Sequence, residues 1–232
     1  MFNTITTEVM QPLFWLGVGK IVWIDILLSG DNALVIALAC KGLAPGQRLW
    51  GMIFGAGGAV LLRILCTGTV ASLMELPYLK IVGGLGLLYI AIKLLIPDDG
   101  EADVKPTDRL LMAIKTVMVA DIVMSIDNVI AVAAAAKGNV FLLSLALALS
   151  IPIIVAGAAL ITTFLNRFPI LVWAGGGLLG WIAGEVIISD SALVPYIQGP
   201  WNNSYIYSFI GACIVLVVAS TWPEKEIEEK LS

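Results

Sequence analysis

Two stretches of this chain carry the same reactive residue types at the same spacing: "DILLSGDNALVIALACKG" from Asp25 and "DIVMSIDNVIAVAAAAKG" from Asp121. They align without a gap at an offset of 96, with Asp, Ser, Asp, Asn, Lys and Gly coinciding. Each copy offers two carboxylates, a carboxamide and a hydroxyl: Asp25, Asp31, Asn32 and Ser29 in the first, Asp121, Asp127, Asn128 and Ser125 in the second. Oxygen donors of this kind suit Mg²⁺, Ca²⁺ or Mn²⁺ better than zinc or copper. The chain has no histidine, and Cys40, Cys66 and Cys213 lack the paired spacing of a zinc site or a disulfide framework. Met124, three residues from both Asp121 and Asp127, offers a thioether that would favour manganese, or simply fills a core.

These carboxylates sit in segments that read as membrane-spanning. The 232 residues are 59% hydrophobic and 13% charged, against roughly 45–50% and 25% in a soluble domain. A carboxylate in hydrocarbon is costly, and four of them clustered repel one another unless they are protonated or bridged by a cation. A bound divalent ion resolves the conflict. The competing reading, structural polar groups holding a bundle together, does not account for a six-position pattern occurring twice.

The expected fold is an all-α membrane protein with seven transmembrane helices, near 14–40, 49–71, 78–96, 111–136, 140–165, 170–188 and 205–222. One set of span ends collects Lys41, Arg48, Lys105, Arg109, Arg167, Lys225 and Lys230, the other little beyond Lys80 and Lys137. The positive-inside rule then puts the C-terminus in the cytosol and the N-terminus outside. The start, "MFNTITTEVMQ", has no positive n-region or small-residue cleavage site and is expected to be retained.

Further likeness extends the duplication. "PYLKIVGGLGLLYIAIK" from Pro77 matches "PILVWAGGGLLGWIAGE" from Pro169 at an offset of 92, the difference falling around the first loop "LAPGQ". A single membrane domain over 1–232 is therefore expected to hold two three-helix repeats, 12–96 and 111–188, joined by a solvated cytosolic linker at 97–110 and followed by a seventh helix at 205–222. An odd number of spans per copy makes the repeats inverted, which brings the two Asp-Ser-Asp-Asn sets together near mid-membrane. At about 100° per residue Asp25, Ser29 and Asn32 share a helix face, as do Asp121, Ser125 and Asn128, while Asp31 and Asp127 point about 120° away. A local break would bring them round. Gly30 favours one in the first copy, where the second has Ile126.

Among the other intramembrane charges, Arg63 is a candidate counter-ion or gate for one aspartate, or one half of a structural ion pair. Lys93 and Glu185 are repeat equivalents placed by inversion at opposite faces. Lys93 is expected to snorkel to the cytosol and Glu185 to line an outer vestibule, with Lys20 near it. Glycines at four-residue spacing, Gly176, Gly180 and Gly184, like Gly51 and Gly55, signal close helix packing.

The paired signatures "LLSGDNALVIALACKG" and "DIVMSIDNVIAVAAAAKG" resemble those of the TerC family of integral membrane proteins, in particular its short YjbE-type branch, over nearly the whole chain. The resemblance implies a bacterial seven-span protein of the LysE-like transporter group, whose members are linked to manganese efflux or named for tellurite resistance. It implies metal binding by Asp25, Asp31, Asp121 and Asp127, with Asn32 and Asn128 beside them and Ser29 and Ser125 in support. Longer members carry Glu at the position of Asp25 and a different second motif. The expected function is export of a divalent metal ion, Mn²⁺ first, with Ca²⁺ or Mg²⁺ as alternatives, coupled to protons across the bacterial inner membrane. No organic cofactor, nucleic acid or enzymatic activity is expected, and an oligomer is compatible with the sequence. Two other classes compete: a membrane accessory for metal or tellurite stress resistance, and an intramembrane aspartyl protease, which the absence of a Gly-x-Gly-Asp motif disfavours.

Overall fold

The computed structural model describes residues 10–67, 76–96, 105–136, 139–193, 195–196 and 203–222, and within them leaves out the side chains of Cys66, Ile126, Asp127, Ile130 and Ala133. Every regular element among the described residues is a helix: α1 (Pro12–Leu28), α2 (Gly30–Cys40), α3 (Pro45–Cys66), α4 (Leu79–Leu95), α5 (Pro106–Ala136), α6 (Val140–Arg167), α7 (Ile170–Ile188) and α8 (Ser204–Thr221). Proline opens α1, α3 and α5, where its missing N–H has no intrahelical partner to lose. Two of these helices start earlier than the apolar runs suggest, at Pro45 rather than 49 and Pro106 rather than 111. The apolar run marks the lipid-facing part, and the helix continues into polar residues beyond it. The expected end of the second span at 71 and most of the linker lie outside the described residues.

Four helices, α3, α6, α7 and α8, are long and apolar enough to cross a membrane, and α1 with α2 makes a fifth if the bent pair is one span. The expected count of seven would add α4 and α5. With 17 residues, α4 spans roughly 26 Å, somewhat less than the ~30 Å of a hydrocarbon core.

The chain divides into two compact units. The first contains α1, α2, α3, α5 and α6, and its apolar core includes Val18 and Ile21 of α1, Val60 of α3, Val132 of α5 and Leu143 and Leu147 of α6. Lipid tails are as apolar as leucine, so helices in a bilayer associate through close fit rather than burial from water. Between α3 and α5 that fit relies on glycine. A Cβ on Gly55 would lie 3.1 Å from Val117 and one on Gly58 2.9 Å from the Met118 sulfur. This closeness sets the next turn of α3, bearing Arg63, beside α5.

The second unit contains α4, α7 and α8. Here backbone meets backbone: a Cβ on Gly211 would stand 2.1 Å from the Gly180 carbonyl oxygen, and one on Gly184 2.2 Å from that of Tyr207. The start of α4 is fixed by a residue that the sequence reading did not single out. Asp190, buried in the turn after α7, accepts from the backbone N–H of Tyr78 and Ala192 on Oδ1 (3.0 and 2.8 Å) and from Lys80 and Ile81 on Oδ2 (2.9 and 3.2 Å). It caps a helix more than a hundred residues away in sequence and holds Tyr78 in the left-handed region, at φ 69°. A carboxylate at a helix N-terminus satisfies orphan N–H groups and meets the positive end of the dipole.

Burial alone would push the Asp190 carboxyl up, yet the four N–H donors win and hold it below the usual carboxylate range. A carboxyl depressed on folding stabilises the fold above its unfolded pKa, about 3.9, and loses that contribution as pH falls through its lower folded value. Asp190→Ala is expected to destabilise the protein by about 2 kcal/mol at neutral pH, with a shallower loss of stability under acid than the wild type shows. Thermal unfolding in detergent at pH 7 and pH 3 measures both. Equal pH slopes in the two proteins would refute the capping role.

Candidate functional site

The first signature does not run through one straight helix. It breaks at Ser29, where α1 ends and α2 begins at Gly30 with a bend of 58°. Residues 121–136 of the second signature lie within the continuous α5. This is the asymmetry expected from Gly30 against Ile126. The break leaves Asp25 in the last turn of α1, Ser29 at the junction, and Asp31 and Asn32 in the first turn of α2. A broken helix frees backbone groups that lipid cannot satisfy. Asn128 of α5 donates from Nδ2 to the freed carbonyl of Leu28, 3.2 Å away, and the Asp31 carboxylate accepts from the N–H of Asn32 at 2.9 Å.

Arg63 stands at the centre of this arrangement. Its Nη1 pairs with Asp25 Oδ1, and its Nη2 donates to Asp121 Oδ1 at 2.9 Å and to Ser125 Oγ at 2.7 Å. One guanidinium thus joins both copies of the motif, and all three charged side chains are buried. Asp25 is the more enclosed of the two aspartates, with no exposed surface. Besides Arg63, it is met by the Ser29 hydroxyl (3.3 Å) and by the Ser150 hydroxyl of α6. Ser150 also lies 2.8 Å from the Leu147 carbonyl, and its single proton serves one acceptor at a time.

Asp121 differs in lining a small cavity with Asn32, Val35, Ile36, Ala59 and Val117, about 10 Å³ of which admits the centre of a water-sized sphere, room for roughly one water. Asn32 is buried there, and among the described residues neither its amide oxygen nor its amide nitrogen has a hydrogen-bond partner. An unpaired buried carboxamide normally costs 1–3 kcal/mol or so, which marks this as a place where a polar ligand would be welcome.

The described side chains therefore bring Asp25, Asp121, Ser29, Ser125 and Arg63 together, with Asn32 on the cavity. Asp31 turns to its own helix end. Asp127 falls on a side chain outside the description. No group of three or more His, Cys, Asp or Glu close enough to hold a metal ion occurs among the described residues. Arg63, weighed from sequence against one aspartate, bridges two. Met124 is buried, whereas Lys20, Lys93 and Glu185 are exposed, Glu185 on α7 of the second unit. Ser150 was missed, although a lone hydroxyl two residues before Pro152 in the run "LALALSIPII" is a visible polar signal.

Comparison with known proteins adds an independent line. The integral membrane protein TerC family pattern matches residues 10–227. The uncharacterized membrane protein YjbE of Bacillus subtilis (strain 168) is 42% identical over 173 residues, covering 75% of this chain and 79% of that protein. The uncharacterized membrane protein YceF of the same organism is 24% identical over 240 residues, covering 99% and 90%. The inner membrane protein YgdQ of Escherichia coli (strain K12) is 25% identical over 179 residues, covering 69% and 75%. No solved structure matches the chain.

Proposed function

The chain belongs to the integral membrane protein TerC family, and from that premise we propose that it exports a divalent metal ion, Mn²⁺ first, across the bacterial inner membrane. The observation that carries the reading is the buried Asp25–Arg63–Asp121 bridge with the unpaired Asn32 amide on a cavity beside Asp121. Ionisable groups inside a membrane are expensive and mark ion pathways or counter-ions. In this reading the chain crosses seven times, counting α1–α2 as one broken span together with α3 to α8, with the N-terminus outside and the C-terminus in the cytosol. The two copies are inverted repeats, and the ion binds where the first spans of both meet.

Oxygen donors with one carboxamide favour Mn²⁺, Ca²⁺ or Mg²⁺, and Mg²⁺ surrenders its hydration shell least readily. Proton movement opposite to the metal supplies the driving force. The arrangement is less suited to an aspartyl protease, whose two carboxylates share a proton and activate water. Here a guanidinium stands between them.

Purified protein reconstituted in proteoliposomes is expected to carry radiolabelled Mn²⁺ with saturable kinetics, and Mg²⁺ is expected to compete weakly. Absence of any metal flux by the protein alone would overturn the transporter reading in favour of an accessory role.

A further inference from the structure

We propose that Arg63 is the tethered resident cation of this site: the metal ion displaces its guanidinium from Asp25 and Asp121, and the guanidinium returns when the metal leaves. The inference rests on the metal-transport reading and says how the binding site is kept when no metal occupies it.

Charge comes first. Two buried carboxylates facing each other without a cation repel strongly, and the low-dielectric surroundings magnify the repulsion. The single guanidinium between them leaves the trio with one net negative charge, and an arginine does not lose its proton inside a protein. Its charge can leave the carboxylates only if the side chain moves. A divalent ion bound between Asp25 and Asp121 occupies the guanidinium's position and repels it, so metal and Arg63 exclude each other.

Geometry shows little that holds the side chain at its neck. The terminal nitrogens make the observed bonds, to Asp25, Asp121 and Ser125, while the buried Nε–H has no partner among the described residues. Ala59, one turn before Arg63 on the same face of α3, lines the cavity that holds the unpaired Asn32 amide and Asp121. Asp121 thus meets the Arg63 guanidinium and also lines the cavity that holds Asn32. At the repeat offset of 92, the counterpart of Arg63 is Val155. One cation therefore serves both copies of the motif.

A tethered cation matters for one half of a transport cycle only. When metal on one side exchanges for metal on the other, the site crosses loaded in both directions and needs no substitute. When metal moves in one direction, the site must return without it, and its carboxylates must then be neutralised by something else. Arg63 supplies one positive charge on that return, and the proton that moves opposite to the metal supplies the other.

The test measures both modes in proteoliposomes, with Mn²⁺ binding followed by calorimetry on the same preparation. For Arg63→Gln, net Mn²⁺ efflux is expected to fall at least ~10-fold, Mn²⁺/Mn²⁺ exchange to stay within about threefold of wild type, and Mn²⁺ affinity to rise about 10-fold once the competitor is gone. Loss of exchange and net flux in step, or retention of both, would overturn the proposal, since a structural role moves the two together. If Arg63→Gln does not fold, Arg63→Lys keeps a charge that cannot fork to both aspartates. It should raise Mn²⁺ affinity, and an unchanged or weaker affinity would overturn the proposal. Wild-type protein that neither binds nor exchanges Mn²⁺ would remove the transport reading itself, and the resident-cation role with it; that failure is visible without any variant.

Discussion

Asp121→Asn is expected to reduce metal transport by at least ~100-fold while leaving the protein folded. The substitution scarcely changes shape, and an asparagine oxygen can still accept from Arg63 Nη2, the bond that Asp121 Oδ1 makes at 2.9 Å. What it removes is charge. With both carboxylates ionised, Asp25, Arg63 and Asp121 carry one net negative charge, and with asparagine at 121 they would carry none, so a dication approaching the cavity would meet a site with no electrostatic reason to hold it. The anionic group that lines the cavity beside Asn32 goes with it. Mn²⁺ flux in proteoliposomes, read beside thermal unfolding in the same detergent, separates the two effects. A transport rate equal to wild type would take Asp121 out of the ion's path.

Asp25→Ala should fail in a different way. Asp25 is wholly enclosed and gathers the Arg63 guanidinium and the hydroxyls of Ser29 and Ser150. Truncating it strips Arg63 of one of its two carboxylates and leaves a buried cation partly uncompensated, a change that costs about 3–5 kcal/mol where it has been measured in buried pairs. The expected result is poor recovery from the membrane and a large drop in unfolding temperature. Asp25→Asn, which keeps acceptors for the guanidinium, should be the milder of the two. An Asp25→Ala protein as stable as wild type would show that the Arg63 pairing does not hold the first unit together. The aspartates hold the same position in the motif, but Asp25 is wholly enclosed while Asp121 lines the cavity.

Period and spacing reached part of this arrangement. The gapless offset of 96 linked Asp25 with Asp121 and Ser29 with Ser125, and the structure joins three of those four through one arginine. Gly30 against Ile126 marked which copy would break. A regular helical wheel could not show what Asp31 does, because the break at Ser29 ends the wheel two residues earlier and makes Asp31 a first-turn residue. Nor could local pattern assign Asp190 or Ser150 their distant partners, which lie 109 to 125 residues away along the chain. Hydropathy also misplaced helix starts, since it registers contact with lipid and not the continuation of backbone hydrogen bonding past the membrane surface.

The interleaving of the units bears on inheritance. Repeat likeness groups α1 to α4 against α5 to α7, but packing places α1, α2 and α3 with α5 and α6, and α4 with α7 and α8. Severing the chain between the copies would therefore strip each unit of some of its helices, and would part Asp190 from the helix start it caps. Each half of the likeness relies on the other for its packing partners, so loss of either would leave neither unit whole.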